Sequence, residues 1–120
     1  MSDEQRVKNL ADRACVPCKG GVPPLTGEAL RGLLAQVDGW TAVEEHHLTK
    51  TYRFKDFAEA LAFVNAVGAI AERERHHPDI HLAWGKVRVD VWTHKIDGLT
   101  ESDFILAAKC DAALGAVRNE

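Results

Sequence analysis

Histidine is the side chain whose unperturbed pKa, about 6.5, lies nearest neutrality, so a histidine cluster points to proton transfer or to a metal. All six histidines lie between His46 and His94, and His76, His77, His81 and His94 fall within nineteen residues. His77 and His81 are four apart, a spacing that would stack them on one helix face. Pro78 stands between them and breaks any such helix. There is no HExxH motif and no Cys/His ligand set, so no metal is expected. Acid–base chemistry fits better. Glu72 and His76 stand at i, i+4, where a carboxylate can orient an imidazole. His94 follows Trp92 by two residues at the end of an expected strand. If strand and helix ends meet, His76 and His94 flank one ligand, one giving a proton while the other takes one.

Each residue also has a plainer reading. His76 can cap the last carbonyls of its helix, and His94 can be a surface residue at a strand end. His46 and His47 sit in an expected turn and read as solvent-exposed; His81 reads as a strand-start residue. Asp103 falls at the third position of an expected helix, where it can satisfy free amides and the helix dipole. Of Trp40, Trp84 and Trp92, at least one belongs in the core.

The elements that must position these residues follow from periodicity. Thr26 is an expected N-cap, and Leu30, Leu33, Leu34 and Val37 follow at helical spacing until Asp38-Gly39. Two strands are expected at 40–45 and 48–54, with a turn near 45–47. Asp56 and Glu59 are spaced as a capping box for a second helix, with Phe57, Leu61, Val64, Val67 and Ile70 as its apolar face. This helix must end near His76, because Pro78 disfavours helical geometry at His77. Strands at 80–84 and 87–94 follow, the latter with Val87, Val89 and Val91 on one face and Arg88, Asp90, Trp92 and His94 on the other. Thr100-Glu101-Ser102-Asp103 opens a third helix carrying Phe104, Ile105, Ala108, Ala112 and Val117. The order α-β-β-α-β-β-α predicts an α+β fold, a four-stranded antiparallel sheet with helices packed on one face.

Composition sets the outer bounds. The chain has 120 residues, one domain's worth, preceded over residues 1–25 by a polar segment and an extended arm; residues 26–120 form the domain. With 46% hydrophobic and 28% charged residues it is neither disordered nor fibrous. A net charge of −3 weighs against nucleic acid as a partner. The apolar runs are too short for a membrane helix, so a cytoplasmic protein is expected. Cys15-Val16-Pro17-Cys18 is a CxxC with no second pair, and Cys110 makes the count odd. Neither a disulfide framework nor a zinc site follows, and the pair reads as structural or incidental.

Taken together, Glu72-x3-His76-His77-Pro78, Trp84, His94 and Asp103 are spaced as in the pterin-4a-carbinolamine dehydratases. Gly98-Leu99-Thr100-Glu101-Ser102-Asp103-Phe104, Gly39-Trp40, and Tyr52 with Phe54-Lys55-Asp56-Phe57 also resemble that family, and the arm from Cys15 to Leu25 resembles its bacterial members. The resemblance spans about residues 15–117. It implies the same α-β-β-α-β-β-α fold and the dehydration of a 4a-hydroxy-tetrahydropterin to quinonoid dihydropterin, in tetrahydrobiopterin recycling, with no cofactor. His76, His77 and His94 would be the catalytic or substrate-contacting histidines, with His76 and His94 as the acid–base pair. Pro78, Trp92, Thr93 and Lys95 would shape or line the pterin site, Glu72 would orient His76, and Asp103 would support the site from the third helix. A homodimer or homotetramer and an aromatic amino-acid hydroxylase in the same pathway are the implied partners. The alternative is a protein-binding module, a dimerisation cofactor or assembly factor on the same fold.

Overall fold

The computed structural model describes residues 10–16 and 20–118. Among them three α-helices and four strands occur in the expected order: α1 (Gly27–Leu34), β1 (Thr41–Val43), β2 (His47–Arg53), α2 (Phe57–Glu74), β3 (Asp79–Ala83), β4 (Lys86–Val91) and α3 (Glu101–Arg118). The strands form one antiparallel sheet of order β1-β2-β4-β3. Leu48 stands opposite Val91 and Tyr52 opposite Val87, so one face of the central pair is apolar. That face packs with Phe63, Val67, Phe104, Leu106 and Cys110 of α2 and α3 into one core. Thr51, Arg53, Lys86 and Arg88 are exposed on the opposite face. None of the described helices is long and apolar enough to cross a membrane.

Local chemistry sets the boundaries. α1 stops at Leu34, short of the expected Asp38, but its periodicity continues in tightened turns. Gln36 N–H donates to Leu33 O and Val37 N–H to Leu34 O, and Val37 is buried. Thr26 has N-cap backbone geometry but no capping side chain; Glu45 Oε2 instead accepts from Gly27 N–H at 3.1 Å. Glu44 and Glu45 both have positive φ, 52° and 56°, and His46 N–H donates to Val43 O. This is the I′ turn that suits the twist of a hairpin. It lies one residue before its expected place, so β2 begins at His47.

Asp56 caps α2 by accepting from Glu59 N–H at 2.9 Å, while Glu59 Oε1 reaches back to Lys55 N–H at 3.1 Å. Losing such a cap costs about 1 kcal/mol. The buried stripe of α2 is Ala60, Phe63, Val67 and Ala71; Phe57 and Leu61, expected to be core, are 44% and 39% exposed. The helix is apolar over much of its circumference, and small alanines let it lie close to its neighbours. α3 shows the same shift: Ala112 is exposed while Leu106, Ala107 and Cys110 are buried. β4 ends at Val91 rather than at His94. Thr93 makes a bridge to Gly98, and His94–Ile96 form a 3-10 turn. Among the tryptophans, Trp40 is core, Trp92 half-buried and Trp84 exposed.

The arm is pinned to the helices. Cys15 N–H donates to Glu74 Oε1 at 2.9 Å and Val16 N–H to Ser102 Oγ at 2.9 Å. The amide bond from Cys15 holds the Glu74 carboxyl below its ordinary range, with Lys109 adding to the effect. Cys18, half of the CxxC, lies outside the described residues.

Candidate active site

The C-terminal end of α2 and the turn after β4 enclose a cleft of about 330 Å³. Arg75, His76, His77, Trp92, Thr93, His94 and Lys95 line it. Six of these were anticipated as site residues; Arg75 was not. α2 ends because Arg75 adopts the left-handed conformation, φ 58°, unusual for a residue other than glycine. His76 N–H still reaches Ala71 O at 3.2 Å, so the helix end is satisfied while the chain turns both imidazoles into the cleft wall.

Beneath the cleft lies Asp103, with no solvent exposure. His76 Nε2 donates to its Oδ1 at 2.5 Å. Its Oδ2 accepts from Thr93 Oγ1 and from Thr100 N–H, each at 2.8 Å. The single Thr93 hydroxyl proton is used on Asp103, so Thr100 is the donor in the 3.0 Å contact between the two hydroxyls. A buried carboxylate must be compensated in this way. The consequence for His76 is specific. In the neutral ring the proton sits on Nε2, and Nδ1 keeps the lone pair.

This corrects one expectation. Glu72 does not orient His76; its Oε2 accepts from His77 Nε2 at 2.6 Å. The i, i+4 argument needs a continuous helix, and the left-handed Arg75 takes His76 off that face. Asp103 takes the orienting role. It does so while performing the capping job assigned to it, because Thr100 N–H binds one oxygen and leaves the other for His76.

A second correction concerns His94, which opens a 3-10 turn rather than ending a strand. Its exposed ring stands edge-on to Trp92, with centroids 4.5 Å apart. A third concerns His46 and His47. They are half-buried, not free in solvent, and pack against Trp92 at 5.4 and 5.8 Å. His46 Nε2 also meets Asp97 Oδ1 at 2.7 Å. His81 lies in the middle of β3, exposed, 3.6 Å from Asp90. Pro78 is half-buried ahead of β3 and is not among the residues lining the cleft. The described residues contain no group of three or more His, Cys, Asp or Glu arranged to hold a metal ion. Burial pushes the Cys15 thiol up to about 12, with the neighbouring Glu74 carboxylate adding to the shift, so it is no nucleophile at neutral pH.

Fold and site together define a small α+β domain with a cleft lined by three histidines, one of which is bonded to a buried carboxylate. The sequence profile described as pterin 4 alpha carbinolamine dehydratase matches residues 23–113, and the chain belongs to that family. A relative from Rubrobacter xylanophilus, provisionally named a pterin-4-alpha-carbinolamine dehydratase, is 59% identical over 105 residues, covering 88% of this chain and 98% of its own. A protein of the same provisional name from Alkaliphilus metalliredigens is 47% identical over 106 residues, covering 88% and 96%. Among solved structures, a transcriptional coactivator/pterin dehydratase from Brucella melitensis superposes with a TM-score of 0.73 at 34% identity, covering 77% of this chain and 99% of the other. A pterin dehydratase-like protein identified as a RuBisCO assembly factor in the alpha-carboxysome gives 0.57 at 26% identity, covering 64% and 90%.

Proposed function

We propose that this protein dehydrates a 4a-hydroxy-tetrahydropterin to quinonoid dihydropterin and water by histidine acid–base catalysis, in tetrahydrobiopterin recycling. The reaction breaks the C4a–O bond and the N5–H bond, forms a C4a=N5 double bond and releases water. It therefore needs one group to accept the N5 proton and another to protonate the departing hydroxyl. His76, with its tautomer set by Asp103, is the base through Nδ1. His94, across the same cleft, is the acid. His77 holds the pterin by hydrogen bonds, steadied by Glu72. Trp92 walls the ring, Thr93 anchors the turn, and Lys95 stands at the rim. Proton bookkeeping closes on these residues, so the reading requires no cofactor. The single observation that carries it is the buried Asp103–His76 pair opening onto a cleft shared with His77 and His94.

A cytoplasmic homodimer or homotetramer, working beside an aromatic amino-acid hydroxylase, completes the reading; the exposed Phe57 and Leu61 of α2 offer apolar surface for self-association. A protein-binding role is the second reading. The coactivator and assembly-factor names of the two structural neighbours favour it. The deciding test follows dehydration of enzymatically generated 4a-hydroxy-tetrahydropterin by ultraviolet absorbance. Wild-type acceleration that vanishes in a His76→Ala/His94→Ala double variant supports the enzyme. A folded wild type that gives no acceleration moves the assignment to the binding module.

A further inference from the structure

We infer that His46 and Asp97 form a latch that positions the turn carrying His94. The role assigned to His94 rests on the catalytic reading above; the latch itself rests on geometry. The three cleft histidines are not held alike. His76 has Asp103 and His77 has Glu72. The His94 backbone carbonyl accepts from Asp97 N–H, but its ring has no hydrogen-bond partner among the described residues; the ring is held by its edge-on contact with Trp92. A side chain held in that way takes its position from its own backbone and from the ring beneath it.

Both are tied down from the β1–β2 hairpin. At one end of the turn, Thr93 N–H donates to Gly98 O at 2.8 Å, and Thr93 Oγ1 reaches Asp103. At the other end stands Asp97, left-handed at φ 54°, with its carboxylate 2.7 Å from His46 Nε2. The two partners are 51 residues apart in sequence, so the pair joins two separate loops. His46 Nδ1 lies 3.1 Å from His47 Nδ1. With the His46 proton on Nε2 toward Asp97, its Nδ1 accepts, and His47 donates from Nδ1. The relay Asp97–His46–His47 thus has one direction. The two imidazoles it orders both pack on Trp92, which in turn supports His94.

The Asp97 side chain is 86% exposed, so this surface hydrogen bond is weak as a source of stability. Its effect is on position. A reacting group held loosely by about 1 Å can cost up to about 100-fold in rate. His46 and Asp97 are therefore positioning residues, acting through the turn and Trp92 and not on the substrate.

The test uses substitutions chosen for the backbone. Asp97→Gly keeps the left-handed conformation and removes the carboxylate. Asp97→Asn keeps an acceptor oxygen on a side chain that tolerates this conformation. Amide hydrogen exchange at Ile96 and Gly98, whose N–H groups close the turn, should be about 10-fold faster in Asp97→Gly and in His46→Ala. Asp97→Asn should exchange close to wild type. In the dehydration assay, Asp97→Gly should lower kcat about 5- to 10-fold with KM changed less than about twofold, and Asp97→Asn should rescue it. Unchanged exchange in both latch variants overturns the latch. Faster exchange with unchanged kcat overturns the positioning role. Exchange is measured without substrate, so a wild type lacking activity overturns the catalytic reading alone, and the latch is then decided by exchange.

Discussion

Asp103 and Asp111 stand eight residues apart on α3, and each gathers donors from elsewhere in the chain. Asp111 Oδ1 accepts from Lys50 Nζ at 2.8 Å and from Tyr52 OH at 2.6 Å, and Trp40 Nε1 lies 3.2–3.3 Å from its two oxygens. Lys50 also donates to Asp38 O and lies 4.9 Å from the Tyr52 ring centroid. Every group in that network ends there. The phenol and the indole each have a single proton to donate, and both are directed at Asp111. Asp103 is equally well supplied, but one of its donors is an imidazole with a second nitrogen. Binding Asp103 through Nε2 leaves Nδ1 for other chemistry. The half-buried Asp111 thus ends a network, whereas the buried Asp103 holds a side chain that has a second nitrogen to offer.

The largest effect should come from removing that donor. His76→Ala is expected to lower the dehydration rate by about 10²- to 10⁴-fold, the usual range for a positioned acid or base. The denaturation midpoint should move much less than the rate. At the other network the expectation reverses. Asp111→Ala strips Lys50, Tyr52 and Trp40 of a shared acceptor and should cost about 2–4 kcal/mol in urea unfolding, with the rate per folded molecule unchanged. A large loss of rate in Asp111→Ala would erase the distinction.

A smaller effect sharpens the comparison through pH. Burial pushes the Cys110 thiol up to about 12, and burial together with the Asp111 hydrogen bond raises the Tyr52 phenol above its ordinary range. Both groups keep their protons in the folded state after the unfolded chain has lost them. Their stabilising contribution is therefore complete below about pH 9 and declines as pH rises toward 12. Urea midpoints should fall across that window. Tyr52→Phe combined with Cys110→Ala should flatten the decline, and a double variant with the wild-type slope would place its source elsewhere.

The element order was legible because each helix start carries its own signal, such as Asp56 before Glu59 and Thr100 before Asp103. The valine face of β4 followed from alternation and the two hairpins from the turns between their strands, whereas the β2–β4 pairing that joins them was not legible. What resisted reading was tertiary. The face that α2 buries depends on how closely its alanines approach their neighbours, which a broad apolar surface does not specify. The partner of His76 depends on Arg75 leaving the helix, and nothing about an arginine announces positive φ. His46 and Asp97 are far apart in sequence and become neighbours only when β1–β2 and the turn after β4 meet. Six residues singled out for a spacing that resembles a family line one cleft; their hydrogen bonds were not implied by that spacing.

The central claim is tested most directly by running Asp103→Asn and Asp111→Asn side by side, measuring the rate of carbinolamine dehydration and the urea midpoint on the same samples. Asn at 103 keeps the shape but disturbs the His76 tautomer, so the rate should fall by at least about 100-fold while the protein remains folded. Asn at 111 should lower the midpoint and leave the rate per folded molecule within about twofold of wild type. Equal loss of rate in both variants, or a wild-type rate in Asp103→Asn, would contradict the account.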